Sequence, residues 1–205
     1  MITASATRDP TAPVGYQPGS IVRHPIRALN LVTIGLSVIL VPLLGIITWE
    51  LHGGLSALPI EVTLTPLDIP VALIATISTI MLHELIHATV LRVYGYQVSF
   101  GIVWQLLVAY AAAFRQLQRR DHALVTTLAP IVLLTAVMLP LLAAPNHYIV
   151  IVAFVVLLTN TAGAVGDLYL TWRLLCLPRQ SLLYDVDPTQ VMIFVPLPQM
   201  DARSQ

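Results

Sequence analysis

The chain has 205 residues, 57% of them hydrophobic and only 10% charged, with ten basic residues balancing ten acidic ones. A water-soluble domain carries about 25% charged residues, so this composition excludes an ordinary soluble globule and indicates a membrane protein. Every basic residue is Arg, and these are few and scattered, which argues against a nucleic-acid partner; Cys176 is the single cysteine, which excludes an internal disulfide and a thiolate zinc site.

No charged, then apolar, then small leader pattern opens the sequence, so we expect its own spans to hold it in the membrane. Residues 1–27 are polar, rich in Pro, Gly, Ser and Thr, and carry Arg8, Arg23 and Arg27. They predict a flexible cytoplasmic arm. A transmembrane domain follows over 28–176. Its first helix runs from Ala28 to Trp49, with Pro42 expected to bend it and Trp49 at an interface. Residues 50–70 hold Glu50, Glu61 and Asp68 but no Arg, and read as an outer loop with a short extended piece at Ile60–Leu64.

The second span, about Val71 to Tyr94, carries His83-Glu84-Leu85-Ile86-His87. Residues four apart share a helix face, so His83 and His87 can aim imidazoles at one metal ion, with Glu84 one step round as general base for a water. With six His and three Glu in the chain, random placement yields this pattern in roughly 0.3% of arrangements. Thr76, Thr79, His83 and His87 form one polar stripe on an otherwise apolar helix, which must face protein interior. Arg92 and Gly95 close the helix on the cytoplasmic side.

Tyr96–Phe114 is apolar enough for a span, yet Gly95 and Gly101 punctuate it and Val, Tyr, Phe and Trp dominate. Arg92 precedes it and Arg115, Arg119 and Arg120 follow, which places both ends in the cytoplasm. It therefore predicts a re-entrant or interfacial β-hairpin, able to pair with an extended substrate, or a plain surface-lying segment. A third span is expected over about Ala123–Leu142 and a fourth over Tyr148–Leu175. Residues 177–205 read as a cytoplasmic tail whose Val191–Val195 run returns as a strand.

Zinc needs a third protein ligand. His24, His52, His122 and His147 all fall in loops or at span ends, whereas Asp167 is the only acidic residue inside the fourth span. Asn160, Gly163, Ala164 and Asp167 share a helix face, and the small residues allow close approach of a neighbour. Asp167 reads as the ligand, or else as a capping or interhelical hydrogen-bonding group. With four spans, His87 and Asp167 each lie roughly 8–9 Å of helix rise from the cytoplasmic Arg92 and Arg173, at one depth; a fifth span would separate them.

The run His83-Glu84-Leu85-Ile86-His87-Ala88, then Ala129-Pro130, then Asn160 to Gly166-Asp167 resembles the putative zincin peptidase family of prokaryotic membrane proteins, and in pattern the site-2 protease group. The resemblance covers about residues 75–196. It implies His83 and His87 as metal ligands, Glu84 as catalytic base, Asp167 as third ligand and Asn160 as a substrate-holding residue. The surroundings of Asp167 lack the Asn-Pro-x-x-Asp-Gly motif of the larger group.

The expected fold is thus an all-α polytopic membrane protein with about four transmembrane helices and a short β-hairpin or re-entrant segment between helices two and three. The expected activity is zinc-dependent cleavage of membrane-associated peptides or proteins, in a multi-pass protein of the cell membrane with both termini cytoplasmic. The alternatives are a non-catalytic membrane protein with a structural metal or partner-binding role, a di-iron oxidase, for which further His clusters are missing, and a transporter. The sequence leaves the oligomeric state open, and His₂-carboxylate sites also suit iron.

Overall fold

In the computed structural model, residues 11–23, 25–57, 65–103, 108–188 and 190–197 are described. Strand β1 (Tyr16–Arg23) leads into α1 (Ile26–Leu51) and a 3-10 turn at Gly54–Ala57. Helix α2 (Asp68–Val93) is followed by β2 (Ser99–Val103), β3 (Val108–Ala112) and β4 (Leu117–Arg119). Helices α3 (Arg120–Leu141), α4 (His147–Gly163) and α5 (Val165–Leu175) precede β5 (Leu182–Asp187) and β6 (Gln190–Pro196).

Among the described residues three helices, α1, α2 and α3, are long and apolar enough to cross a membrane, and the pair α4–α5, bent by 46°, adds a fourth if it counts as one span. Their outward faces are greasy and uncovered: Leu31 is 71% exposed and Ile74 64%. Such faces are consistent with a membrane protein. The inner faces pack in two clusters. Leu44, Leu142, Ala153 and Leu157 join α1, the end of α3 and α4; Ala123, Leu174, Leu183 and Val191 join α3 and α5 to the sheet.

At the end of the bundle away from the sheet, polar ties hold the helix termini. His147 Nε2 meets Asp68 Oδ1 at 3.0 Å, and Asp68 also accepts from the Thr65 backbone and hydroxyl. Asn146 caps α4 by accepting from the amides of Tyr148 and Ile149. At the other end α2 stops where Gly95, at φ +85°, lets the Tyr96 amide reach back to the Leu91 carbonyl and the Gly95 amide to Arg92. This double bond-back turns the chain sharply into the hairpin. Arg120, buried at the start of α3, donates to the final carbonyls of α5, Leu174 and Leu175.

The fold is mostly helical but not all-α. The segment after α2 is the expected hairpin, with Ser99–Val103 paired antiparallel to Val108–Ala112. A four-stranded antiparallel sheet in the order β1-β6-β5-β4 was not foreseen as a whole. The tail does return as strands. The arm taken as flexible supplies an edge strand over Tyr16–Arg23, where Val22 is 2% exposed and pairs with Val191. The span expected over Tyr148–Leu175 is broken at Ala164. The extended piece expected at Ile60–Leu64 lies outside the described residues.

Candidate metal centre

His83 and His87 stand one turn apart on the buried face of α2, with ring centroids 4.8 Å apart and edge to face. Each imidazole is engaged at both nitrogens. His83 Nδ1 lies 2.9 Å from Asn160 Oδ1, and its Nε2 3.0 Å from Asp167 Oδ2. His87 Nδ1 lies 2.8 Å from the Thr126 carbonyl oxygen, and its Nε2 3.3 Å from the same Asp167 Oδ2.

These contacts fix where the protons are. A carbonyl oxygen only accepts, so His87 Nδ1 donates to Thr126. The Asn160 amide nitrogen points to the Pro130 carbonyl at 3.5 Å, which turns its oxygen to His83 and makes His83 Nδ1 a donor too. In neutral rings both Nε2 atoms then carry bare lone pairs, aimed at a carboxylate oxygen. Three electron-rich atoms in such proximity repel one another unless positive charge sits among them. Ligand atoms on a tetrahedral zinc with bonds of about 2.0–2.1 Å are about 3.3–3.4 Å apart, close to what is found here. The donor set fits a divalent metal.

The backbone explains how the partners arrive. In an unbroken helix the Thr126 carbonyl would accept the amide of residue 130, but Pro130, inside α3, has no N–H. The freed carbonyl turns to His87. On the other side, Ala164 is at once the C-cap of α4 and the N-cap of α5. The bend there sets Asn160 in the last turn of one helix and Asp167 in the first turn of the next, and the two reach opposite sides of His83. Unpaired amides at a helix start favour a carboxylate.

Glu84 is half-buried beside the histidines, with ligand atoms of His83, Glu84 and His87 within 4.8 Å of one another. The Ala111 backbone on β3 offers its carboxylate a hydrogen bond. Cavities open on both sides. One, of about 260 Å³, runs from the histidines past β3 to Gln118 and Asp185 on the sheet. The other, of about 340 Å³, lies among Thr33, Thr79, Thr159 and Asn160 of α1, α2 and α4.

Of the residues singled out by sequence, His83, Glu84, His87, Asn160 and Asp167 come together. Asn160 is 1% exposed, borders the second cavity, and directs its amide oxygen to His83 and its amide nitrogen to the Pro130 carbonyl. The other described histidines are elsewhere. His52 bonds the Thr48 and Ala144 carbonyls, His147 pairs with Asp68, and His122 stacks on Tyr94; His24 lies outside the described residues. Sequence reasoning missed Thr126, Ala111 and Asp185. For Thr126 the signal was a proline four residues later in a helical stretch.

Among protein-family models, the one described as putative zincin peptidase matches residues 76–182, just over half of the chain. Nothing among curated proteins or solved structures matches.

Proposed function

The chain belongs to the putative zincin peptidase family, and from that premise we propose that it is an integral-membrane zinc endopeptidase in the manner of the site-2 proteases. The observation that carries the reading is the meeting of His83 Nε2, His87 Nε2 and Asp167 Oδ2 at 3.0 and 3.3 Å, with both ring Nδ1 atoms committed to acceptors. These three side chains would hold the metal. Zinc, when bound, supplies Lewis acidity, polarising a carbonyl oxygen and lowering the pKa of a water.

The chain's own groups do the rest. Glu84 takes a proton from the attacking water as its oxygen adds to the scissile carbonyl carbon. The same carboxyl then gives the proton to the amide nitrogen as the carbon–nitrogen bond breaks. Asn160 and the Thr126 carbonyl hold the histidine rings in the required tautomer, a positioning role. Among the described residues β3 pairs with β2 alone, and its other side borders the cavity at Ala109–Ala112. An extended substrate segment can lie along that edge and complete its hydrogen bonds.

Two features support a four-span topology with both ends cytoplasmic. Hydrogen-bonded strands lie on one side of a membrane, so the pairing of β1 with β6 requires an even number of crossings; α1, α2, α3 and the bent pair make four. Arg23, Arg92, Arg115, Arg119, Arg173 and Arg179 all flank the sheet end, while Glu50 and Asp68 lie at the opposite end.

The test is zinc content and cleavage of membrane-associated peptides by the protein in nanodiscs. Wild type should hold about one zinc, lost in His87→Ala and Asp167→Ala. Glu84→Gln should keep zinc and lose cleavage; cleavage surviving in that variant sinks the assignment. The closeness of Glu84 to both histidines favours one second reading, a closed structural site with Glu84 as fourth ligand. On that reading Glu84→Gln loses zinc.

A further inference from the structure

The cavity between the metal centre and the sheet has an acidic far wall. Asp185 on β5 borders it, and among the described residues no Arg does. Asp185 Oδ2 accepts from Gln118 Nε2 at 2.6 Å, and Gln118 is itself 5% exposed. That partner is a neutral amide, and among the described residues no cation is paired with the Asp185 carboxylate. Around it stand Phe114, Leu183 and Val191. Burial pushes its carboxyl up to about 6. A carboxylate held in such surroundings without a counter-charge costs stability, and the wall of a cavity is where a ligand can bring that charge.

From this geometry we propose that Asp185 is a specificity-determining residue, which selects substrates with a Lys or Arg side chain seated beside the scissile bond on the sheet side of the metal centre. The inference rests on the protease reading and names its substrate class: the basic flank of a membrane segment. Gln118 anchors one carboxylate oxygen and leaves Oδ1 for the incoming ammonium or guanidinium, an arrangement that also gives protease specificity pockets their basic preference. Membrane proteins supply the complement, because the cytoplasmic ends of their spans are enriched in Lys and Arg. A segment laid along β3 with its membrane part toward the helices carries that flank to Asp185.

The experiment uses full-length Glu84→Gln protein in nanodiscs, loaded with zinc, and fluorescent peptides that differ only by Lys or norleucine, scanned through each position. At one position Lys should bind at least about tenfold tighter than norleucine, as expected for a charge-assisted contact in a sheltered site. Asp185→Asn, added to the same protein, should bring the two within about twofold, chiefly by weakening the Lys peptide. Equal binding of both peptides at every position, no binding of either, or a preference that survives Asp185→Asn overturns the proposal. Cleavage by the wild type separates the two ideas. Equal cleavage of both peptides keeps the protease and removes the subsite; an Asp185-dependent Lys preference in a protein that cleaves nothing keeps the subsite and removes the protease.

Discussion

Pro130→Ala is the sharpest probe of how the histidines are held. The substitution restores an amide four residues beyond Thr126, and that amide competes for the carbonyl that now accepts from His87 Nδ1 at 2.8 Å. Partners of this kind are worth about 10–100-fold in metal affinity, or about 1.4–2.7 kcal/mol. Stability should move the other way. Proline inside a helix costs about 3 kcal/mol relative to alanine, whereas removing part of a fully buried ring costs about 1–2 kcal/mol. The variant should therefore unfold no earlier than wild type as apo-protein and yet bind zinc more weakly, a combination that general damage does not produce. Chelator competition reads the affinity and thermal unfolding of the apo-protein reads the stability. Thr126→Ala is the control, because it leaves the backbone carbonyl in place and should alter zinc affinity by less than about twofold. Wild-type zinc affinity in Pro130→Ala, or equal losses in both variants, would refute the reasoning.

Three further outcomes are expected. Asn160→Ala removes the acceptor at His83 Nδ1 and should weaken zinc about 10–100-fold, whereas Asn160→Asp, which keeps an acceptor there, should restore most of the loss; equal weakening in both would assign Asn160 a purely packing role. Asp185 should make stability depend on pH. Its carboxyl titrates at about 6 in the folded chain against 3.8 ordinarily, so the folded state binds the proton more tightly. Stability is then greatest below about pH 4, falls as pH rises toward 6, and levels beyond, by about 3 kcal/mol in all. Asp185→Asn should remove that slope, and a melting-temperature gap between the two proteins that does not vary from pH 4.5 to 7.5 would contradict it. In the hairpin, a Cβ added at Gly101 meets the Tyr110 ring across the strand pair. Gly101→Ala should cost about 1–3 kcal/mol, with most of the cost gone when Tyr110 is also Ala; strictly additive effects would mean that the ring is not the obstacle.

Much of the centre was legible because its chemistry is local. Two histidines at a four-residue spacing, a glutamate between them and a single acid in a later span are readable without knowing any fold. The hairpin was legible too, since glycines and β-branched and aromatic residues break the helical pattern between two groups of Arg. The break at Ala164 was not: α4 and α5 are both apolar, and small residues read equally well as a close helix contact. Nor was the edge strand β1, which contains Pro18 and Gly19 and whose partner lies at the far end of the sequence; its register slips between Pro18 and Ile21. A strand defined by so distant a neighbour leaves no periodic trace in its own eight residues.

The zipping of β1 onto β6 orders the protein's assembly in time. Tyr16 is made first and must wait for Pro196, its partner, while roughly 180 residues are translated, about 9–36 s at ordinary synthesis rates. By then α1 to α5, and Asp167 with them, have already been made. The last pieces to be added are β5 and β6, which bring Leu183, Asp185 and Val191 to the cavity wall. A nascent chain thus acquires the candidate metal-binding donors before it acquires the sheet surface that walls the cavity beside them.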